Sequence, residues 1–134
     1  MVLVDSSIWI DFLQHPTSAH ADRLETLIRD HNRAVLCGVI LQEVLQGIRN
    51  PRTFRMVRER LTRFPYLEVG KEVYTAAASL YRSLRIRGIT VPAADVSIAA
   101  LAISRDLPLY TLDDHFRLIA QNSRLVLYAS PGGA

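Results

Sequence analysis

Four acids of this chain stand inside apolar sequence, where an isolated carboxylate is costly. Asp5 follows Val2-Leu3-Val4 and precedes Ser6-Ser7-Ile8-Trp9. Glu43 lies in Val39-Ile40-Leu41-Gln42-Glu43-Val44-Leu45, and Asp95 in Pro92-Ala93-Ala94-Asp95-Val96-Ser97-Ile98. Asp113 ends Leu109-Tyr110-Thr111-Leu112-Asp113, with Asp114 and His115 directly after it. No lysine or arginine is next to any of the four in sequence. A fold that gathers them needs positive charge in their midst, because buried carboxylates must be paired or must coordinate a metal. A hard divalent cation such as Mg2+ takes oxygen ligands of this kind and commonly binds a substrate phosphate as well. The chemistry implied is that of phosphodiesters.

The elements that would position these acids alternate along the chain. Short apolar runs at 2–4, 34–36, 66–69, 109–111 and 125–128 read as strands. Between them, 6–13, 17–30, 38–47, 51–63, 71–87, 92–104 and 114–120 read as helices. Pro51 opens one helix, Phe64-Pro65 ends it, and Gly88 closes another. Strands alternating with helices predict an α/β fold with a central parallel sheet of about five strands flanked by helices. Residues 1–129 form one domain on this reading, and 130–134 a loose tail. In open parallel sheets the ligand site lies beyond the carboxyl ends of the strands. Asp5 falls just after the first strand and Asp113 just after the fourth.

Composition agrees with such a domain. The 134 residues are 49% hydrophobic, enough for a core, with no apolar run long enough to span a bilayer. An acid at position 5 does not suit a signal peptide, so a cytoplasmic protein with no membrane partner is expected. The single cysteine, Cys37, excludes an internal disulfide and a cysteine-based zinc site; it reads as a small buried residue closing a strand. Of 16 basic residues one, Lys71, is lysine. The arginines suit bidentate grip on phosphate. Arg49, Arg52, Arg55 and Arg58 recur every three residues, with Arg60 and Arg63 beyond. A helix there carries a basic ridge that either tracks phosphates or is simply a solvated face.

Each acid also has an ordinary structural role open to it. Asp113 or Asp114 could cap a helix, Asp95 could be a first-turn acid favoured by the helix dipole, and a mid-helix glutamate such as Glu43 usually faces water. Asp5 is harder to assign that way, since Ser6 or Ser7 could cap the helix that follows. The functional reading therefore rests on the four together.

Taken in order, these motifs resemble the PIN-domain nucleases, specifically the VapC toxins of bacterial type II toxin–antitoxin pairs. Asp5-Ser6-Ser7-Ile8-Trp9 is similar to the family's D-[ST]-S-x-W start and Glu43 stands in its central apolar helix. Asp95 through Ala102 is similar to its D-x-x-I-A-A-x-A helix, and Thr111 through Phe116 fits T-x-D-x-x-F. The resemblance covers essentially the whole chain. It implies a PIN-like three-layer fold and an acidic quartet, Asp5, Glu43, Asp95 and Asp113, that holds Mg2+ or Mn2+. Ser6 and Thr111 would line the site, and Asp114 would share ligation or cap a helix. It further implies an endoribonuclease cutting RNA such as a transfer RNA, a cognate VapB-type antitoxin and a homodimer.

The mechanism expected is metal-assisted hydrolysis, with Asp95 or Asp113 accepting the proton of the attacking water and Arg49, Arg52 and Arg55 on RNA phosphates. No general-base histidine is required. His115 reads as a first-turn helix residue, near enough to Asp113 for contact with the leaving group to stay open. A phosphoacceptor receiver domain would want an acidic pair after the first strand and a late lysine, and a haloacid-dehalogenase-type phosphatase would want D-x-D where Ser7 stands. The remaining alternative is an RNA-processing protein without a toxin role, or a non-catalytic binding module.

Overall fold

Val2–Val4 forms β1: three apolar residues, every one buried, need covering on both faces and so favour the interior of a parallel sheet. β2 (Ala34–Cys37) is buried along its whole length in the same way, with Cys37 closing it. β3 (Tyr66–Leu67) and β4 (Leu109–Tyr110) are two residues each. The computed structural model describes residues 1–129, and the tail expected at 130–134 lies outside the described residues. The strands run parallel in the order β3-β2-β1-β4. Val2 faces Ala34, and Leu3 faces Val35 on one side and Leu109 on the other.

The fifth strand expected at 125–128 is not formed. It is reduced to a single bridge between Leu109 and Leu127. The Leu109 N–H donates to the Val126 carbonyl at 2.9 Å and the Tyr128 N–H to the Leu109 carbonyl at 2.8 Å. With β4 only two residues long, its outer edge offers no ladder to extend. The sheet thus has four strands among the described residues.

Around it lie α1 (Ser6–Gln14), α2 (Ala19–Arg29), α3 (Gly38–Gln46), α4 (Pro51–Leu61), α5 (Lys71–Ile86), α6 (Ala93–Ser104) and α7 (Asp114–Gln121). The stop expected at Gly88 is a Schellman ending: Gly88 adopts φ 79°, its N–H bonds the Arg85 carbonyl, and the Ile89 N–H bonds that of Leu84. α6 has no polar face; apart from Asp95 its sequence is alanine, aliphatic residues and serine, and seven of its residues are buried. Trp9 fastens α1 to the sheet, its indole N–H donating to the Val4 carbonyl at 3.1 Å and its ring packing 5.0 Å from Phe64.

β1 has β2 on one side and β4 on the other. The chain therefore winds outward from β1 in one direction and later returns to its opposite flank. Just beyond the carboxyl ends of β1 and β4 is the topological switch point, where doubly wound sheets open a crevice.

Candidate active site

Two of the four acids occupy that crevice as helix caps. Asp5 is itself the N-cap of α1, a place the sequence left to Ser6 or Ser7, and Asp113 is the N-cap of α7. The carboxylates are thereby fixed at strand ends with one oxygen engaged and the group still facing the crevice. Asp5 is 3% exposed. Its Oδ2 accepts from the Ser7 hydroxyl at 2.8 Å and the Thr111 hydroxyl at 2.9 Å. Ser7 Oγ in turn accepts from the Leu112 N–H at 3.0 Å, and Thr111 Oγ1 accepts from the Asp113 N–H at 3.0 Å. This network ties the end of β1 to the end of β4, and the Asp5 N–H to Tyr110 carbonyl bond at 2.9 Å sets the register beneath it.

Asp95 enters from the first turn of α6 and is 7% exposed. Glu43 enters from the middle of α3, half-buried, and accepts from the Ser6 hydroxyl at 3.3 Å. α3 reads Gly-Val-Ile-Leu-Gln-Glu-Val-Leu-Gln, so Glu43 is its one charged residue.

The electrostatics register the crowding. Burial, followed by the charges of Asp113 and Asp5, raises the Asp95 carboxyl to about 6, with the His115 hydrogen bond working the other way. Burial, and then Asp5, Asp95 and Asp113, also raises Glu43, opposed by the Ser6 hydrogen bond. Asp5 and Asp113 thus act on both Asp95 and Glu43, and Asp95 acts on Glu43. Among the described residues, the ion pairs of the arginines involve Glu25, Asp30 and Asp114, and none reaches this group. Converging carboxylates without an arginine or lysine partner form a donor set that fits a hard divalent cation.

Asp114 is not brought in. Its side chain is 88% exposed and lies 3.6 Å from an Arg117 nitrogen. Arg49, Arg52 and Arg55 are exposed on or just before α4, with Arg49 preceding the Asn50 cap, so the ridge on the helix proper begins at Arg52.

Two residues have a larger part than their sequence context suggested. Ser7, noted as part of a motif and as a possible helix cap, is the hub of the Asp5 network. His115 sits between two of the acids, Nδ1 3.1 Å from Asp95 Oδ2 and 3.2 Å from Asp113 Oδ1. The signal available for His115 was its place two residues after Asp113, at the start of a helix whose Phe116 is completely buried and fixes the turn.

Comparison with known proteins agrees with this geometry. The PIN domain family model matches residues 2–122. Ribonuclease VapC11 of Mycobacterium tuberculosis is 30% identical over 128 residues, covering 93% of this chain and 96% of that protein. The solved structure of VapBC2 from Rickettsia felis bound to a promoter DNA fragment shares the fold at a TM-score of 0.78 and 16% identity, covering 96% of this chain and 98% of the matched one. FitAcB from Neisseria gonorrhoeae does so at 0.75 and 22%, covering 96% of each. With a family model spanning nearly all of the described residues, and acids at the strand ends where its motifs stand, the chain belongs to the PIN-domain family.

Proposed function

We propose that the protein is a metal-dependent endoribonuclease, the toxin of a toxin–antitoxin pair, in which Asp5, Glu43, Asp95 and Asp113 hold Mg2+ or Mn2+. The observation that supports this most is the grouping of Asp95 and Asp113, whose donor atoms lie within 4.8 Å of each other, with Asp5 and Glu43 near enough for charge to act between them and, among the described residues, no arginine ion pair reaching the group. A divalent cation bound there supplies an activated water and offsets charge on the scissile phosphate. Asp5 is held in one orientation by Ser7 and Thr111, so it needs no rearrangement to serve as a ligand. Asp95, whose carboxyl burial and neighbouring acids raise to about 6 in the absence of a cation, or Asp113 would accept the proton of the attacking water. Ser6 orients Glu43, and Thr111 joins Asp5 to the Asp113 backbone. Arg49, Arg52 and Arg55, all exposed, are free to grip RNA phosphates.

The partner proposed is a VapB-type antitoxin, by similarity to VapC ribonucleases and to the solved VapBC complexes; a homodimer is proposed from the family resemblance alone. Among the described residues no helix is long and apolar enough to cross a membrane, in keeping with action on RNA in the cytoplasm. The test is RNA cleavage. It should require Mg2+ or Mn2+, stop on chelation, and be lost in Asp5→Asn and Asp95→Asn proteins that remain folded. Full cleavage in the presence of chelator would overturn the assignment.

A further inference from the structure

His115 is not one of the acids that prompted the metal reading, yet it is the side chain most intimately placed among them. Its Nδ1 lies 3.1 Å from Asp95 Oδ2 and 3.2 Å from Asp113 Oδ1, and the donor atoms of the three residues all fall within 4.8 Å of one another. The backbone fixes this position: the His115 N–H donates to Asp113 Oδ1 at 2.9 Å, and the neighbouring Phe116 is fully buried. Two donors bound at right angles to one cation, at bonds of about 2.1–2.2 Å, lie about 3 Å apart. The observed separations have that spacing, and without a cation the His115–Asp95 contact of 3.1 Å is a hydrogen bond that coordination of both atoms would replace.

We propose that His115 is a metal ligand alongside Asp95 and Asp113, giving a mixed nitrogen and oxygen donor set that favours Mn2+ over Mg2+. The inference rests on the nuclease reading above and deepens it. Carboxylates alone serve Mg2+ and Mn2+ alike, whereas an imidazole donor favours first-row transition ions. Mg2+ dehydrates reluctantly and prefers oxygen, so it gains little from the ring. The competing role for His115 is that of a cationic clamp between the two acids, which a metal would have to displace. The two roles differ in sign: removing a ligand weakens Mn2+ binding, and removing a clamp strengthens the binding of both cations.

The experiment uses the full chain without RNA. Pulsed electron paramagnetic resonance on the Mn2+-loaded protein should show the nitrogen coupling of a coordinated imidazole, a measurement that needs no variant. The coupling should vanish in His115→Gln. Calorimetric titration should show Mn2+ affinity falling by about tenfold or more in that variant, with Mg2+ affinity falling less. Binding of both cations without nitrogen coupling, coupling that survives His115→Gln, or tighter binding of both cations by the variant would each overturn the role of His115 and leave the acidic metal site standing. Failure of the parent to bind either cation would overturn both.

Discussion

The crevice at the switch point and the arginine helix α4 are both concentrations of charge, and they are built on opposite terms. In the crevice Asp5 and Asp95 are 3% and 7% exposed, and Asp5 is locked by the hydroxyl of neighbouring Ser7 and by that of Thr111, 106 positions away. On α4 the arginines are exposed, the helix is anchored by buried Val57 and Leu61, and Asn50 caps it through the Arg52 and Thr53 N–H groups. Arg58 lies over the Phe54 ring, 5.8 Å from its centroid. The arginine stripe follows from spacing along one helix and would survive in almost any fold. The acid cluster exists only because the sheet order brings the starts of α1, α6 and α7 and the middle of α3 to one point. Charge gathered that way is held at a cost, since like carboxylates in a dry site raise one another's pKa, while solvated arginines cost little. Such a costly arrangement is the reason the crevice, and not α4, is proposed as the place of the chemistry.

This contrast breaks most directly under substitution. Asp5→Asn or Asp95→Asn should reduce RNA cleavage by more than about a hundredfold with the circular dichroism spectrum intact, larger than the effect usual for a residue that only orients a ligand. Arg52→Gln should stay within a few-fold of the parent. Equal losses in the two regions would erase the distinction.

A smaller effect is expected where the crevice is braced. Thr111→Val removes the 2.9 Å bond to Asp5 and the acceptor of the Asp113 N–H. Activity should fall by about tenfold or somewhat more, and stability by about 1 kcal/mol in urea titration. A variant with full activity would show that the network is dispensable for placing Asp5.

Stability sharpens the comparison further, because removing a crowded charge should not harm the fold. In metal-free buffer at neutral pH, Asp95→Asn should unfold at the same temperature as the parent or higher. The sign follows from the raised pKa. A folded-state value of about 6, above the ordinary carboxylate range near 4, means that the folded protein holds this proton more tightly than the unfolded chain. The contribution of Asp95 is therefore present at low pH and is lost as pH rises from about 4 to about 6. The advantage of Asp95→Asn should grow across that window and level off above it. Mg2+ or Mn2+ at a hundredfold excess over Kd should stabilise the parent by about 2.7 kcal/mol, and the variant by less. If Asp95 only served the α6 dipole, its loss would cost roughly 0.3–1 kcal/mol with or without metal.

The smallest effect belongs to α4. Changing Arg52 or Arg55 to glutamine should weaken RNA binding alike for different sequences and reduce the slope of log affinity against log salt by about one unit. An unchanged slope would leave the arginines as a solvated face.

Much of the scaffold was legible beforehand because its signals are local. β1 and α3 lie where their apolar runs stand, and Pro51 and Gly88 act where backbone chemistry says they must. The misreadings came at edges and caps. Residues 125–128 have the composition of a strand, but a strand needs a partner, and two-residue β4 leaves room only for the Leu127 bridge. Asp5 was set apart from capping because serines followed it, whereas the structure makes it the cap of α1, and the site role proposed for it does not exclude that.

The sequence by itself pointed to acids inside apolar segments, of which Asp5 and Asp95 are buried while Glu43 and Asp113 stay partly exposed, and it determined the helix and strand character that carries them. It could not determine their meeting. Periodicity reports which face of an element is covered, not which element covers it. Placing β4 against β1 joins Thr111 to Asp5 across 106 positions, and packing α7 against α6 sets the His115 ring beside Asp95 across 20. Those distances are decided by strand order and by the docking of a largely apolar helix with no polar face to orient it. Only the packed structure minimises exposed apolar surface over every element together, and it is that minimum which places the carboxylates and the imidazole within reach of one another.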